Sequence, residues 1–185
     1  CRSAAQAYTT KREEVTTYAD NLEKGLRVRV PVISTHPTVP FEQDRIRRAA
    51  ESLQVRFDEK HGGFIGAPKF PMPALLNFLH DYSLLAGNHR IKAHVRFSLQ
   101  KMSMGGIYDH IGGGFARYAV DSRWKVPHFE KMLYDNAQLL SLLSKAHRSG
   151  PSPLFEERIR ETADFILRDL RTQEGLFASS LDAYR

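Results

Sequence analysis

The 185-residue sequence predicts an all-α protein built from paired helices, on three observations. From residue 41 onward, apolar residues recur at helical spacing in successive segments. Glycine and proline punctuate the ends of those segments. The connections alternate between long, glycine-rich loops and short ones, the layout of stacked α-hairpins. No tandem repeat of fixed period is readable.

Residues 4–24 are polar and helix-permissive. Ala7, Val15, Tyr18 and Leu22 make only a thin stripe, which fits a helix resting on a neighbour rather than entering a core. Arg27 to Ile33 alternates, and His36-Pro37-Thr38-Val39-Pro40 reads as a stiff, extended linker. That divides the chain into residues 1–40 and 41–185. Ile46, Ala49, Ala50, Leu53 and Phe57 mark the first helix of the second part. After a long loop over 58–73, Pro73 opens a helix that runs to Leu85 and ends at Gly87-Asn88. Ile91, Val95, Leu99 and Met102 form the third helix, stopped by Gly105-Gly106. A second long loop covers 105–126. Pro127 opens a fourth helix reaching about His147, and Leu154 to Leu170 forms the fifth, closed by Gly175. No strand is expected after residue 40. Both long loops follow odd-numbered helices, so antiparallel hairpins place them at one end of the bundle. A functional face is expected there, because long glycine-rich loops are entropically expensive.

Composition narrows the function classes. With 42% hydrophobic and 26% charged residues, the chain is neither collagenous, coiled-coil nor disordered. No stretch approaches the ~18 apolar residues of a membrane helix, so no membrane span is expected. The net charge is +6, but basic residues are interleaved with acids and no run of five occurs, which argues against a nucleic-acid partner. Cys1 is the sole cysteine, so an internal disulfide is excluded and no Cys-x-x-Cys is present. No cofactor and no metal are called for, a cytoplasmic setting is preferred, and both ends look cut from a longer chain.

The chemistry-bearing residues concentrate in the loops. Lys69 lies in the rigid string Ala67-Pro68-Lys69-Phe70-Pro71, where its ammonium could address a ligand or simply sit on a packed crossover. The second loop gathers Tyr108, Phe115, Tyr118 and Trp124 with Asp109, His110, Arg117 and Asp121. It is not a phosphate cradle, since the Gly-x-Gly-x-x-Gly spacing is absent. Aromatic faces with convergent acids and bases suit a sugar or polyol, whose apolar faces stack on rings while its hydroxyls need donors and acceptors. On the fourth helix Glu130, Tyr134 and Gln138 share one flank, and His128, Lys131 and Asp135 the other, with Lys131 and Asp135 able to pair. Asn136 points into the apolar stripe and is expected to pin a neighbouring loop. His128 and Glu130 are about 200° apart on a helix and cannot share a metal ion. Asp109, Glu130 and Asp135, with His110 and His128, are the candidates for acid/base work. Tyr108, Arg117, Tyr118, Trp124, Tyr134 and Lys69 are the candidates for substrate binding.

Three long strings carry a resemblance. They are Gly62-Gly63-Phe64 with Ala67 to Pro71, then Gly105 to Phe115, then Val126 to Gln138. They resemble the thioredoxin-domain-containing family of spermatogenesis-associated protein 20 and bacterial YyaL-type proteins, from about Phe41 to the end. The resemblance implies a thioredoxin-like domain whose final helix and linker occupy residues 1–40. It further implies an (α/α)6 toroid of six-hairpin glycosidase or N-acylglucosamine 2-epimerase type, of which 41–185 is the first part. The family's thioredoxin-type cysteines have no match here. Of an Asp-Ala-Asp string typical of relatives, Asp182 alone carries over as a binding residue. The expected function is a carbohydrate-binding or carbohydrate-processing pocket. The alternative is a non-catalytic α-helical scaffold serving the attached thioredoxin-like domain.

Overall fold

The computed structural model describes residues 8–29 and 42–183, and the expected linker at 36–40 lies outside them. The chain divides into two compact units, Cys1–Phe41 and Glu42–Arg185. The first contains helix α1, Arg12–Arg29, which continues through the start of the segment read as alternating. Glu13 and Glu14 occupy its first turn, where acids favour the exposed amides. Tyr18, Leu22 and Leu26 are each more than half exposed.

The second unit consists of α2 (Gln43–Gln54), α3 (Pro73–Leu85), α4 (His89–Met104), α5 (Leu133–Arg148) and α6 (Pro153–Phe165). A π-helical turn, Ile166–Leu170, extends α6. α3 packs on α5 and α4 on α6, so consecutive hairpins stack in two rows. Pro73 and Pro153 each open a helix, where their missing N–H costs nothing. Asn88 caps α4 by accepting from the Ile91 amide at 3.0 Å. Leu76 and Leu79 from α3, Ile91, Val95 and Leu99 from α4, and Leu139, Leu142 and Leu143 from α5 are at most 1% exposed. Each stabilises the fold by about 1.5–3 kcal/mol through burial.

Three expectations need correction. Phe57 is not helical. α2 stops at Gln54, and Phe57 turns inward to stack on His94 with ring centroids 3.7 Å apart. The fourth helix starts at Leu133 rather than Pro127, because residues 127–132 pair with other segments. Strand β1 (Tyr118–Ala119) meets β2 (Pro127–His128), and β3 (Lys131–Met132) meets β4 (Ser180–Leu181), both antiparallel. The absence of strands after residue 40 is corrected with it. The partner of β3 is remote in sequence, and that of β2 lies across the loop rather than in the adjoining segment.

The two long loops do share one end. Lys69 and Ala119 exchange backbone hydrogen bonds of 2.7 and 2.9 Å. Trp124, 1% exposed, donates its indole N–H to the His61 carbonyl at 2.8 Å. The loops also repeat one device. In the first, Asp58 N donates to Gly63 O, Gly62 N to Asp58 O and Ile65 N to Arg56 O. In the second, Asp109 N donates to Gly114 O, Gly113 N to Asp109 O and Ala116 N to Ile107 O. One oxygen of each aspartate accepts two amides of its own turn, those of Lys60 and His61 or of Ile111 and Gly112. The other oxygen accepts a later lysine, Lys69 or Lys131. The paired glycines sit at positive φ of 68–82°, which an L side chain rarely adopts.

Candidate functional site

The repeated device decides what several candidate residues do. Lys69 is 2% exposed and bonds Asp58 and the Ser122 carbonyl, its ammonium 5.1 Å from the Trp124 ring centre. It faces the interior, so the reading of Lys69 as a ligand contact is corrected to a buried ion pair. Asp109 bonds Lys131 at 2.8 Å, which also corrects the expected pairing of Lys131 with Asp135. Partial burial pushes the Asp109 carboxyl up, but Lys131 and the Gly112 and Ile111 amides outweigh it and hold it down at about 2. A group so strongly held ionised is a poor proton donor at neutral pH.

Tyr108 and Trp124, expected to stack on a substrate, are core residues at 1% exposure. The Tyr108 hydroxyl donates to Glu161 at 2.5 Å, and burial followed by that carboxylate pushes its phenol well up. His110 is exposed and bonds the Gly105 carbonyl at 3.0 Å. Because Asp109 is depressed, its contribution to stability is fully present above about pH 4 and is lost as pH falls towards 2. The penalty of Asp109→Asn, measured by urea denaturation at pH 7 and pH 2.5, is therefore expected to shrink in acid.

Of the remaining candidates, Arg117, Tyr134 and Asp135 converge at the start of α3 and α5. A cavity of about 250 Å³ lies there, walled by Phe70 to Leu75 on one side and by Arg117, Tyr134, Asp135 and Gln138 on the other. Asp135 is 7% exposed. Burial pushes its carboxyl up, with Tyr134 and the Arg117 guanidinium pulling partly against it. Arg117 donates to Glu130 at 2.9 Å, and its own amide donates to the Glu130 carbonyl at 2.8 Å. Glu130 thus fixes Arg117 by side chain and backbone together. Tyr134 is 50% exposed.

Phe70, Tyr118 and His128 form a row of rings with successive centroids 4.8 Å apart. His128 Nδ1 is buried, with no partner among the described residues. Asp182 lies one position beyond the Lys131–Leu181 pair. Asn136 pins the second loop as expected, accepting from Phe115 N at 2.7 Å and donating to Phe115 O at 3.0 Å. Asp58 and the Pro71–Leu75 wall are not among the expected site residues. Asp58 was findable, since it precedes its Gly-Gly-Phe by the same spacing that separates Asp109 from Gly113-Gly114-Phe115. Among the described residues no group of three His, Cys, Asp or Glu side chains could hold a metal ion. No helix among them is long and apolar enough to cross a membrane.

Two rows of stacked α-hairpins, with long loops before α3 and α5, are part of an (α/α)6 toroid of the sugar-epimerase type. A sugar epimerase from a ruminal bacterium superposes with a TM-score of 0.64 at 15% identity, over 76% of this chain and 40% of that one. Cellobiose 2-epimerase from Bacillus thermoamylovorans gives 0.62 at 14% identity over 76% and 40%, and that from Spirochaeta thermophila 0.59 at 18% over 78% and 42%. At these identities the likeness shows the fold. By sequence, the homologues of this chain include spermatogenesis-associated protein 20 from rat, 39% identical over 143 residues, and from human, 39% identical over 140. Each match covers 74% of this chain, which spans 18% of the length of those relatives. No protein-family model matches the sequence.

Proposed function

We propose that the cavity at the start of α3 and α5 is one wall of a sugar- or polyol-binding site, with Asp135 as its acid/base group. The carrying observation is the setting of Asp135. A buried carboxyl pushed up from its ordinary range stands beside an oriented guanidinium and a half-exposed phenol. A carboxyl that keeps its proton closer to neutrality can deliver it to a glycosidic or ring oxygen, or take one from a sugar carbon. Arg117, steadied by Glu130, donates to sugar oxygens. Tyr134 and Phe70, both lining the cavity, offer flat faces. The volume is just under the ~300–1,000 Å³ of complete small-molecule sites, which fits a wall that further helices of a toroid would close. Residues 1–40 are proposed to be the last helix and linker of a thioredoxin-like domain.

The test is a thermal-shift and turnover screen of the full-length protein against mono- and disaccharides, with Asp135→Asn beside it. A raised carboxyl pKa lowers stability as pH rises from about 4 through the folded value, so the neutral amide is expected to stabilise the fold at pH 7. The same substitution is expected to remove the sugar response. Absence of any response in the unaltered protein, or its full survival in Asp135→Asn, sinks the reading. One observation favours a non-catalytic scaffold serving a redox domain instead: Lys69, Tyr108, Asp109 and Trp124 are all committed to holding the loops. That alternative expects a thiol substrate or protein partner to bind while sugars do not.

A further inference from the structure

Away from the Asp135 cavity, a second concavity of about 650 Å³ opens where α4 ends, between the two long loops. His61, Phe97, Lys101, Met104, Arg123 and Lys125 line it, and no carboxylate does. Among the described residues Lys101, Arg123 and Lys125 have no ion-pair partner, whereas Lys69, Arg117 and Lys131 at the same end each hold one. The nearby acid, Asp121, is committed to the backbone. It accepts the Arg123 amide at 2.6 Å, Lys125 at 3.1 Å and Val126 at 2.6 Å, which shapes the turn that presents both cations.

That turn is held under strain. Trp124, between the two cations, has a φ of 65°, in the left-handed region where a bulky residue costs roughly 1–2 kcal/mol. Its buried indole, bonded to His61 O, keeps it there, and Gly63 and Gly105 leave the room, since a Cβ on either would come within 2.8 Å of Trp124. One strained residue therefore locks both loops together and sends Arg123 and Lys125 into the same concavity. Lys101 also opposes the helix dipole in the last turn of α4, which accounts for one of the three cations but not for the pair on the turn.

We propose that this groove binds a small organic phosphate, its phosphoryl group seated among Lys101, Arg123 and Lys125. Three cations approaching from α4 and from both sides of Trp124 match a tetrahedral dianion with oxygens in several directions. A planar carboxylate is satisfied by one guanidinium. Phe97 and the exposed Met104 supply an apolar floor for the organic body. The size is in the range of small-molecule sites.

The experiment is calorimetric titration of the intact chain at low ionic strength with inorganic pyrophosphate, phenyl phosphate and AMP, with adenosine as the neutral control. Saturable binding of at least one phosphate compound is expected, falling with added salt. Arg123→Gln with Lys125→Gln, both exposed and absent from the core, is expected to weaken it by about tenfold or more. Arg148→Gln, an exposed cation elsewhere, is expected to leave it unchanged. Asp135→Asn is also expected to leave it unchanged, which separates this groove from the proposed sugar cavity. The proposal is overturned if no phosphate compound binds saturably, or if the double variant binds like the parent. It is also overturned if only a polymeric anion such as heparin binds, which would mark an extended macromolecular face.

Discussion

Replacing Asn136 with alanine is expected to destabilise the second unit by about 3–4 kcal/mol, the cost of leaving buried backbone groups unpaired. The magnitude follows from where its amide sits. Tyr108 and Phe115 face one another in the narrow hairpin of the second loop, whose own bonds run from Asp109 N to Gly114 O and from Ala116 N to Ile107 O. The N–H and C=O of Phe115 therefore point away from the hairpin, and Asn136 takes both, as a further strand would. Its Nδ2 also reaches the Met132 carbonyl at 2.9 Å. Asn136 is 0% exposed, so solvent cannot replace it. For a unit of this size the melting temperature should fall by roughly 10 °C. Urea denaturation and calorimetry check this, and a loss under 1 kcal/mol would mean the loop finds other partners. Asn136→Asp is expected to be no rescue, because it removes the donor and buries a charge.

Lys69→Met is expected to cost about 3–5 kcal/mol at pH 7, the penalty for stranding one member of a buried pair. Methionine keeps the aliphatic stem, so the loss isolates the ammonium. Burial pushes the Asp58 carboxyl up, and Lys69 with the His61 and Lys60 amides brings it below its ordinary value. A lowered carboxyl stabilises the fold above about pH 4 and ceases to do so as pH falls through its folded value. Without Lys69 no cation opposes the effect of burial on Asp58, so the deficit should shrink at pH 4 as Asp58 takes up a proton. Asp58→Asn combined with Lys69→Met should recover part of the loss, and a double-mutant cycle reads the coupling. Lys131→Met is the internal comparison. Its partner Asp109 is 39% exposed against 13% for Asp58, so water compensates and a smaller loss is expected. Equal losses would show that burial does not set the difference.

The two substitutions probe a device that also explains why the site was only partly legible. Asp109 in a glycine-rich loop is ambiguous in sequence, because a carboxylate serves backbone turns and ligands alike. The structure distinguishes the uses by where the lysine goes, and Lys131 is 22 residues from Asp109. In the fourth helix Leu139, Leu142, Leu143 and Ala146 form the buried apolar face while Ala137 is exposed, so the expected stripe is displaced, and the six residues before Leu133 are not helical. Their backbone is occupied by Tyr118–Ala119 and Ser180–Leu181. Glu130 consequently leaves the helical flank it was assigned with Tyr134 and reaches Arg117 from an extended segment.

The sequence by itself determined the hairpin layout of the second unit, the helix start at Pro73, the shared end of its long loops and the role of Asn136. These follow from short-range physics: apolar period, proline and glycine stereochemistry, and the need of a buried amide for partners. Only the tertiary structure decided which polar residues face a cavity and which hold the loops. Lys69 and Asp109 went to the loops, Arg117 and Asp135 to the cavity, and Arg123 and Lys125 to a groove of their own. The physical reason is that a charge is assigned by the nearest opposite charge and by access to water. Both are set by segments beyond local sequence range, with the deciding partners 11 residues away for Lys69, 13 for Arg117 and 22 for Asp109.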